Sequence, residues 1–101
     1  MVTPDKFRQL ALSFPDAVEQ PHFERRSFRV KKKIFATLDE QQNLACLKLS
    51  ETDQDIFSLA AISAIYPVPN KWGKHGWTNV ELEKVEEELV RDVLGKAYIF
   101  V

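Results

Sequence analysis

Phe7, Leu10, Ala11 and Phe14 recur three or four positions apart, the spacing that lays one apolar stripe along a helix. Thr3 stands where an N-cap belongs, Pro4 occupies the first helical position, where its missing N–H costs nothing, and Pro15 ends the element. From residue 20 to residue 50 the period shortens toward two. That shift predicts strands over 22–30, 34–38 and 44–49, the last two joined by the polar turn 39–43, and so a three-stranded meander. Ser50 with Asp53 three positions on resembles a capping box. It predicts a helix over 51–61 whose buried face is Ile56, Phe57, Ala60 and Ala61. A β-branched and aromatic run over 62–68 and a cleanly alternating run over 77–82 predict a second hairpin around the loop 69–76. Leu82, Val85, Leu89, Val93 and Ala97 then give an amphipathic C-terminal helix that exposes Glu83, Glu86, Glu87 and Glu88, with Gly95 expected to loosen its last turns. The order α-β-β-β-α-β-β-α implies an α+β fold, a two-layer α/β sandwich of one antiparallel sheet with helices on one face.

Alternation also assigns faces. Phe28 and Val30 point inward, so Arg25, Ser27, Arg29 and Lys31 share an outward column. In the second hairpin Thr78, Val80 and Leu82 point inward and Trp77, Asn79 and Glu81 outward, while Lys71, Trp72, Lys74 and His75 lie in its loop.

A chain of 101 residues with 45% hydrophobic and 29% charged residues reads as one ordinary globular domain. No apolar run approaches the roughly 18 residues of a membrane span. The opening MVTPDKFRQL has no apolar stretch of the secretory kind, and Cys46 is the only cysteine. A cytoplasmic, reducing location is expected, without disulfide or thiolate metal cluster.

The net charge of −1 argues against binding nucleic acid by bulk charge. Its distribution is uneven, because Arg25, Arg26, Arg29, Lys31, Lys32 and Lys33 crowd one stretch that contains no acid. Two readings compete. The basic column, with an exposed tryptophan beside it, suits phosphate contact plus stacking; lysines at a hairpin tip also guard sheets against edge-to-edge aggregation. Trp72 and Trp77 equally suit packing anchors. Enzymatic signals are weak: Glu19 and His22 stand three apart, with His75 elsewhere, but no nucleophile or orienting group accompanies them. No ligand-spacing motif marks a metal site. Gly73, Gly76 and Gly95 form no phosphate loop, no cofactor is implied, and Cys46 reads as a packing residue.

Three strings, FPDAVEQPHFERRSFRVKKKIFATL at 14–38, GWTNVEL at 76–82 and AYIFV at 97–101, together resemble the MmcQ/YjbR family of small bacterial proteins. The resemblance spans nearly the whole chain. It implies a two-layer domain of the CyaY-like, secretion-chaperone-like kind, and a DNA-binding role attached to a double-wing shape. One departure stands out: family members usually carry glycine before the lysine matched by Lys33, and this chain has Lys32. A left-handed turn there would strain it.

The expectation is therefore a non-catalytic, monomeric DNA-binding domain. Arg25, Arg26, Arg29, Lys31, Lys32 and Lys33 would engage phosphate, with Lys71, Lys74 and Trp77 as a second wing. The alternative is a protein-interaction or chaperone-like adaptor module that uses the sheet face or edge.

Overall fold

The hydroxyl of Thr3 accepts the amide of Lys6 at 3.1 Å and Pro4 opens the first helix, α1 (Pro4–Leu12). In the computed structural model, which describes all residues from Met1 to Val101, the following elements are β1 (Val18–His22), β2 (Arg25–Val30), β3 (Lys33–Asp39), β4 (Leu44–Lys48), α2 (Glu51–Ala60), β5 (Ile65–Pro67), the short helical turn α3 (Lys71–Lys74), β6 (Trp77–Glu81) and α4 (Glu87–Phe100). The strands form one antiparallel sheet in the order β1-β2-β3-β4-β6-β5. The α+β sandwich implied by the periodicity is the observed architecture.

Local features differ from the pattern, and the run expected as a strand over 62–68 is extended only over Ile65–Pro67. The segment 22–30 is not one strand, because His22 and Arg25 become partners across a two-residue turn. Phe23 takes φ 58° there. Neither Phe23 nor Glu24 is a residue that ordinarily marks such a turn, so alternation alone runs through it. In α2 the buried positions are Gln54 and Phe57, and Ile56 faces solvent. Gln54 takes the inward slot because its amide donates to the Gly73 carbonyl at 2.9 Å and the Thr78 hydroxyl at 3.0 Å. At the C-terminus the helix starts only at Glu87, because Leu82–Lys84 forms a separate 3-10 turn. Leu82 and Val85 are nevertheless buried, so the apolar spacing spans two elements. Gly95 does not loosen α4, which continues to Phe100.

The core lies between the sheet and α1, α2 and α4. Phe7 of α1 meets Phe28 of β2 edge to face at 5.7 Å, and Phe35 of β3 meets Tyr98 of α4 at 5.7 Å. Such aromatic pairs add roughly 0.5–1.5 kcal/mol to the area they bury. Phe35 reaches this layer through a bulge: Phe28 pairs Ala36 and Arg29 pairs Ile34, leaving Phe35 as the extra residue. No helix covers the other side of the sheet. No helix is long and apolar enough to cross a membrane.

Candidate functional site

Strand partners share a face, so the open side can be read row by row from the register. One row runs Ser27, Thr37, Cys46, Asn79 and Tyr66 across β2, β3, β4, β6 and β5. The outward parity expected for Trp77, Asn79 and Glu81 is observed, with Thr78 and Val80 buried between them. Around the row lies a groove of about 940 Å³. Phe23, Glu24 and Arg25 form one wall, and Trp72 and Pro69 the other, with Thr37, Cys46 and Asn79 in the floor.

Each expected site residue has a definite place. Arg25 lines the groove and donates to the Thr37 hydroxyl at 3.5 Å. Arg29 lies over Ser27, donating to its hydroxyl at 3.1 Å, while that hydroxyl donates to the Gln20 carbonyl at 3.0 Å. Ser27 is thus buried, and the outward column that solvent meets is Arg25 and Arg29. Lys31, Lys32 and Lys33 are exposed at the tip of the β2–β3 hairpin. Lys31 and Lys32 have φ 53° and 69°, the two successive positive angles of a type I′ turn. The strain anticipated at Lys32 is therefore present, and doubled.

Arg26 is not with them. It shares the helix-covered side with Phe28, where its Nε donates to Glu19 at 2.6 Å. Arg8 of α1 donates to the other oxygen of the same carboxylate at 3.3 Å. Glu19 is mostly buried and spends both oxygens on these guanidinium groups. His22 sits on the opposite face of β1 from Glu19, its ring against Phe23, so the carboxylate–imidazole pair suggested by their spacing does not form. No three His, Cys, Asp or Glu side chains gather as metal ligands would.

The second wing is divided. Trp77 borders the groove with Lys48 over its ring at 5.5 Å, a cation–π contact. Lys71 lies 5.8 Å over the half-exposed Trp72. Lys74 instead lines a neighbouring cleft with Glu51 and Asp55 of α2, which dilutes its charge. The loop holding Trp72 is rigidly seated. A Cβ at Gly73 would stand 2.0 Å from the Val68 carbonyl oxygen, and one at Gly76, whose φ is +99°, 2.0 Å from that of Leu49.

Charge is segregated between the layers. The ion-paired cations, Lys6, Arg8, Arg26, Lys84 and Arg91, lie on the helix side or at the Glu81 end of the sheet. Arg25, Arg29, Lys31, Lys32, Lys33 and Lys48 on the open face make no ion pair; Lys71 and Lys74 of α3 and Lys96 of α4 are the other unpaired cations. The acidic start of α4 packs over the covered face, away from this cluster: Glu87 pairs with Lys6 of α1. At the far end of the open face, Glu81 accepts from Tyr66 at 2.6 Å and pairs with Lys84 at 2.9 Å. These contacts hold its carboxyl below the ordinary range and raise the Tyr66 phenol. Burial pushes the Cys46 thiol up to about 11, with Arg25 opposing, so it stays protonated and is a poor nucleophile.

Sequence reasoning missed Phe23. It is 95% exposed at the β1–β2 tip, yet the alternation that placed Arg25 outward placed Phe23 outward too, and that was the available signal. It also missed Gln54, whose buried amide ties α2 to the Trp72 loop and to β6; a glutamine in an apolar helical stripe carried no such mark.

A model of the YjbR family matches residues 12–99. The chain belongs to the YjbR family. Among solved structures, the crystal structure of the Deinococcus radiodurans protein DR2400, whose domain is described as DUF419, is similar over 100% of this chain and 79% of its own, with a TM-score of 0.85 and 27% identity. No curated protein matches. The YjbR match covers both hairpins and most of α4, so the open face and its basic tip fall within the part shared with the family.

Proposed function

We propose that this YjbR-family protein is a non-catalytic DNA-binding protein that contacts the phosphate backbone through the β2–β3 hairpin and the open sheet face. One observation carries the reading: the hairpin tip and the middle of the open face gather Arg25, Arg29, Lys31, Lys32, Lys33 and Lys48 with no acidic partner among them, while in the helix layer Lys6, Arg8, Arg26 and Arg91 are ion-paired and Lys96 alone is not. Unpaired cations on one surface offer counterion release to a polyanion despite a net charge near zero. The strained tip adds support. Two lysines held in left-handed backbone cost of order 1–2 kcal/mol each, and backbone strain of this kind concentrates at functional sites.

The test is a titration of duplex DNA by fluorescence anisotropy across salt concentrations, with Lys32→Glu/Lys33→Glu beside the wild type. Binding should weaken for every sequence alike, and the slope of log affinity against log salt should flatten by about 0.9 per lost phosphate contact. A double variant that binds as tightly as the wild type would remove the hairpin from the interface.

One observation favours a protein-interaction reading instead. Ile56, Leu59 and Ile62 are 54%, 76% and 77% exposed along α2 and the turn after it, an apolar strip of the kind that marks contact surfaces. The sheet edges are less suited to that role, because β1 carries Pro21 and β5 is three residues long and ends at Pro67. Recovery of one stoichiometric protein partner after nuclease treatment, lost in Leu59→Lys, would support this reading over DNA binding.

A further inference from the structure

The groove of the open face has features that phosphate contact does not use. Phe23 projects from one wall almost wholly exposed, in left-handed backbone that an aromatic side chain seldom adopts. Trp72 stands half exposed on the other wall, and Trp77 borders the floor with Lys48 above its ring. Hydrophobic side chains of this size are ordinarily buried. Here the rigid loop around Gly73 and the β1–β2 turn hold them out. Between them the floor is uncharged and largely apolar, with Ile34, Leu44 and Cys46 beside Thr37 and Asn79, and the Asn79 amide, a donor and an acceptor at once, makes no hydrogen bond within the protein.

Aromatic faces, uncommitted cations and a free amide are complementary to one nucleotide component each: the base plane, the phosphate and the base edge. A duplex keeps base planes inside its stack. A duplex therefore offers this face its phosphates alone, whereas an unpaired strand offers base planes and phosphates together. Charge favours a polyanion over a neutral or basic peptide, because Arg25, Arg29 and Lys48 carry no acidic partner and Glu24 is the one carboxylate on the lining, and the aromatic walls favour a strand with base planes over an acidic peptide.

We infer that the open sheet face binds an unpaired nucleic-acid strand, whose bases stack on Phe23, Trp72 and Trp77 while its phosphates follow Arg25, Arg29 and the tip lysines. This inference rests on the nucleic-acid reading above and specifies its substrate. Sugar identity does not enter the stacking argument, so DNA and RNA strands share the chemistry.

The experiment compares labelled oligo-dT and oligo-rU of about 12 nucleotides, within the length that one sheet-based site covers, with a duplex of equal length. Wild type, Phe23→Ala, Trp72→Ala and the double variant are titrated, and thermal melts confirm that each is folded. Expected are tighter binding of single strands than of duplex and at least a tenfold loss on single strands in the double variant. Its duplex affinity should stay within about twofold and its salt slope unchanged, since stacking releases no counterions. In Trp72→Phe, quenching of Trp77 by the single strand should persist, placing the bases in the groove. Preference for duplex, or equal losses on both forms in the folded double variant, would overturn the inference and leave phosphate binding standing. Absence of binding to any of these at low salt would overturn both. The dT and rU arms then decide which strand is the natural one.

Discussion

The two faces of this sheet use the same strands for opposite purposes. On the covered face, residues meet partners within the chain: Phe28 finds Phe7, Phe35 finds Tyr98, and Arg26 finds Glu19. On the open face the same strands present groups whose interactions are incomplete, namely Arg29, Lys48, Asn79 and Trp77. Folding stability resides in the first set and costs nothing to the second, which leaves the open face free to be specified by something other than the fold. The β1–β2 and β2–β3 tips follow the same division, since Phe23 and the lysine pair Lys31–Lys32 are exposed and in left-handed backbone at once.

The sharpest way to break this comparison is to cut equally large side chains from each face. Phe28→Ala should cost about 3–5 kcal/mol, as deep aromatic truncations do. Trp72→Ala should stay within about 0.5 kcal/mol, the range for surface substitutions. Urea denaturation of both variants measures the contrast, and comparable losses would mean that the open face also carries the fold.

A smaller effect separates the two arginines of β2. Glu19→Gln leaves Arg26 without its carboxylate in a half-buried site and should cost about 1–3 kcal/mol, with DNA affinity and salt slope unchanged. Arg29→Gln should show the reverse, near-native stability with a flatter salt slope. If both substitutions alter binding alike, the segregation of charge has no functional meaning.

Lys32→Gly sharpens the argument about strain. Glycine enters left-handed backbone freely, so the variant should gain about 1 kcal/mol, or roughly 4–8 °C in melting temperature for a domain of this size. The same change removes one cation and should reduce the salt slope. Gain of stability with loss of binding would show that the lysine is kept at the expense of stability. Unchanged stability would mean that the turn relaxes in solution.

The smallest effect concerns the acidic end of the open face. Because Tyr66 and Lys84 depress the Glu81 pKa, the charged carboxylate is favoured by folding. Its contribution is present at neutral pH and is lost as pH falls through the depressed value. Tyr66→Phe should move the Glu81 titration upward in carboxyl NMR, and the melting-temperature gap between variant and wild type should close in acid. A gap independent of pH would assign the difference to packing.

Much of this was legible in the chain. The caps at Thr3 and Ser50, the parity of β2 and β6, and the sandwich as a whole follow from local spacing and local hydrogen bonds. Less legible were the elements whose conformation depends on distant partners. The turn at Phe23–Glu24 lacks turn residues and forms because β1 pairs with β2. Gln54 is buried because carbonyl and hydroxyl groups of β6 and of the loop before it accept its protons.

The sequence by itself determined which residues alternate, where helices can begin, and that positive charge gathers around one hairpin, because those properties depend on neighbours within a few positions. Only the tertiary structure decided which of those charges remain free. Arg26 and Arg29 lie three positions apart in one basic run, yet β1 and α1 bring Glu19 and Arg8 to the first and leave the second to solvent. Neutralisation is a matter of distance in space, and no local pattern carries it.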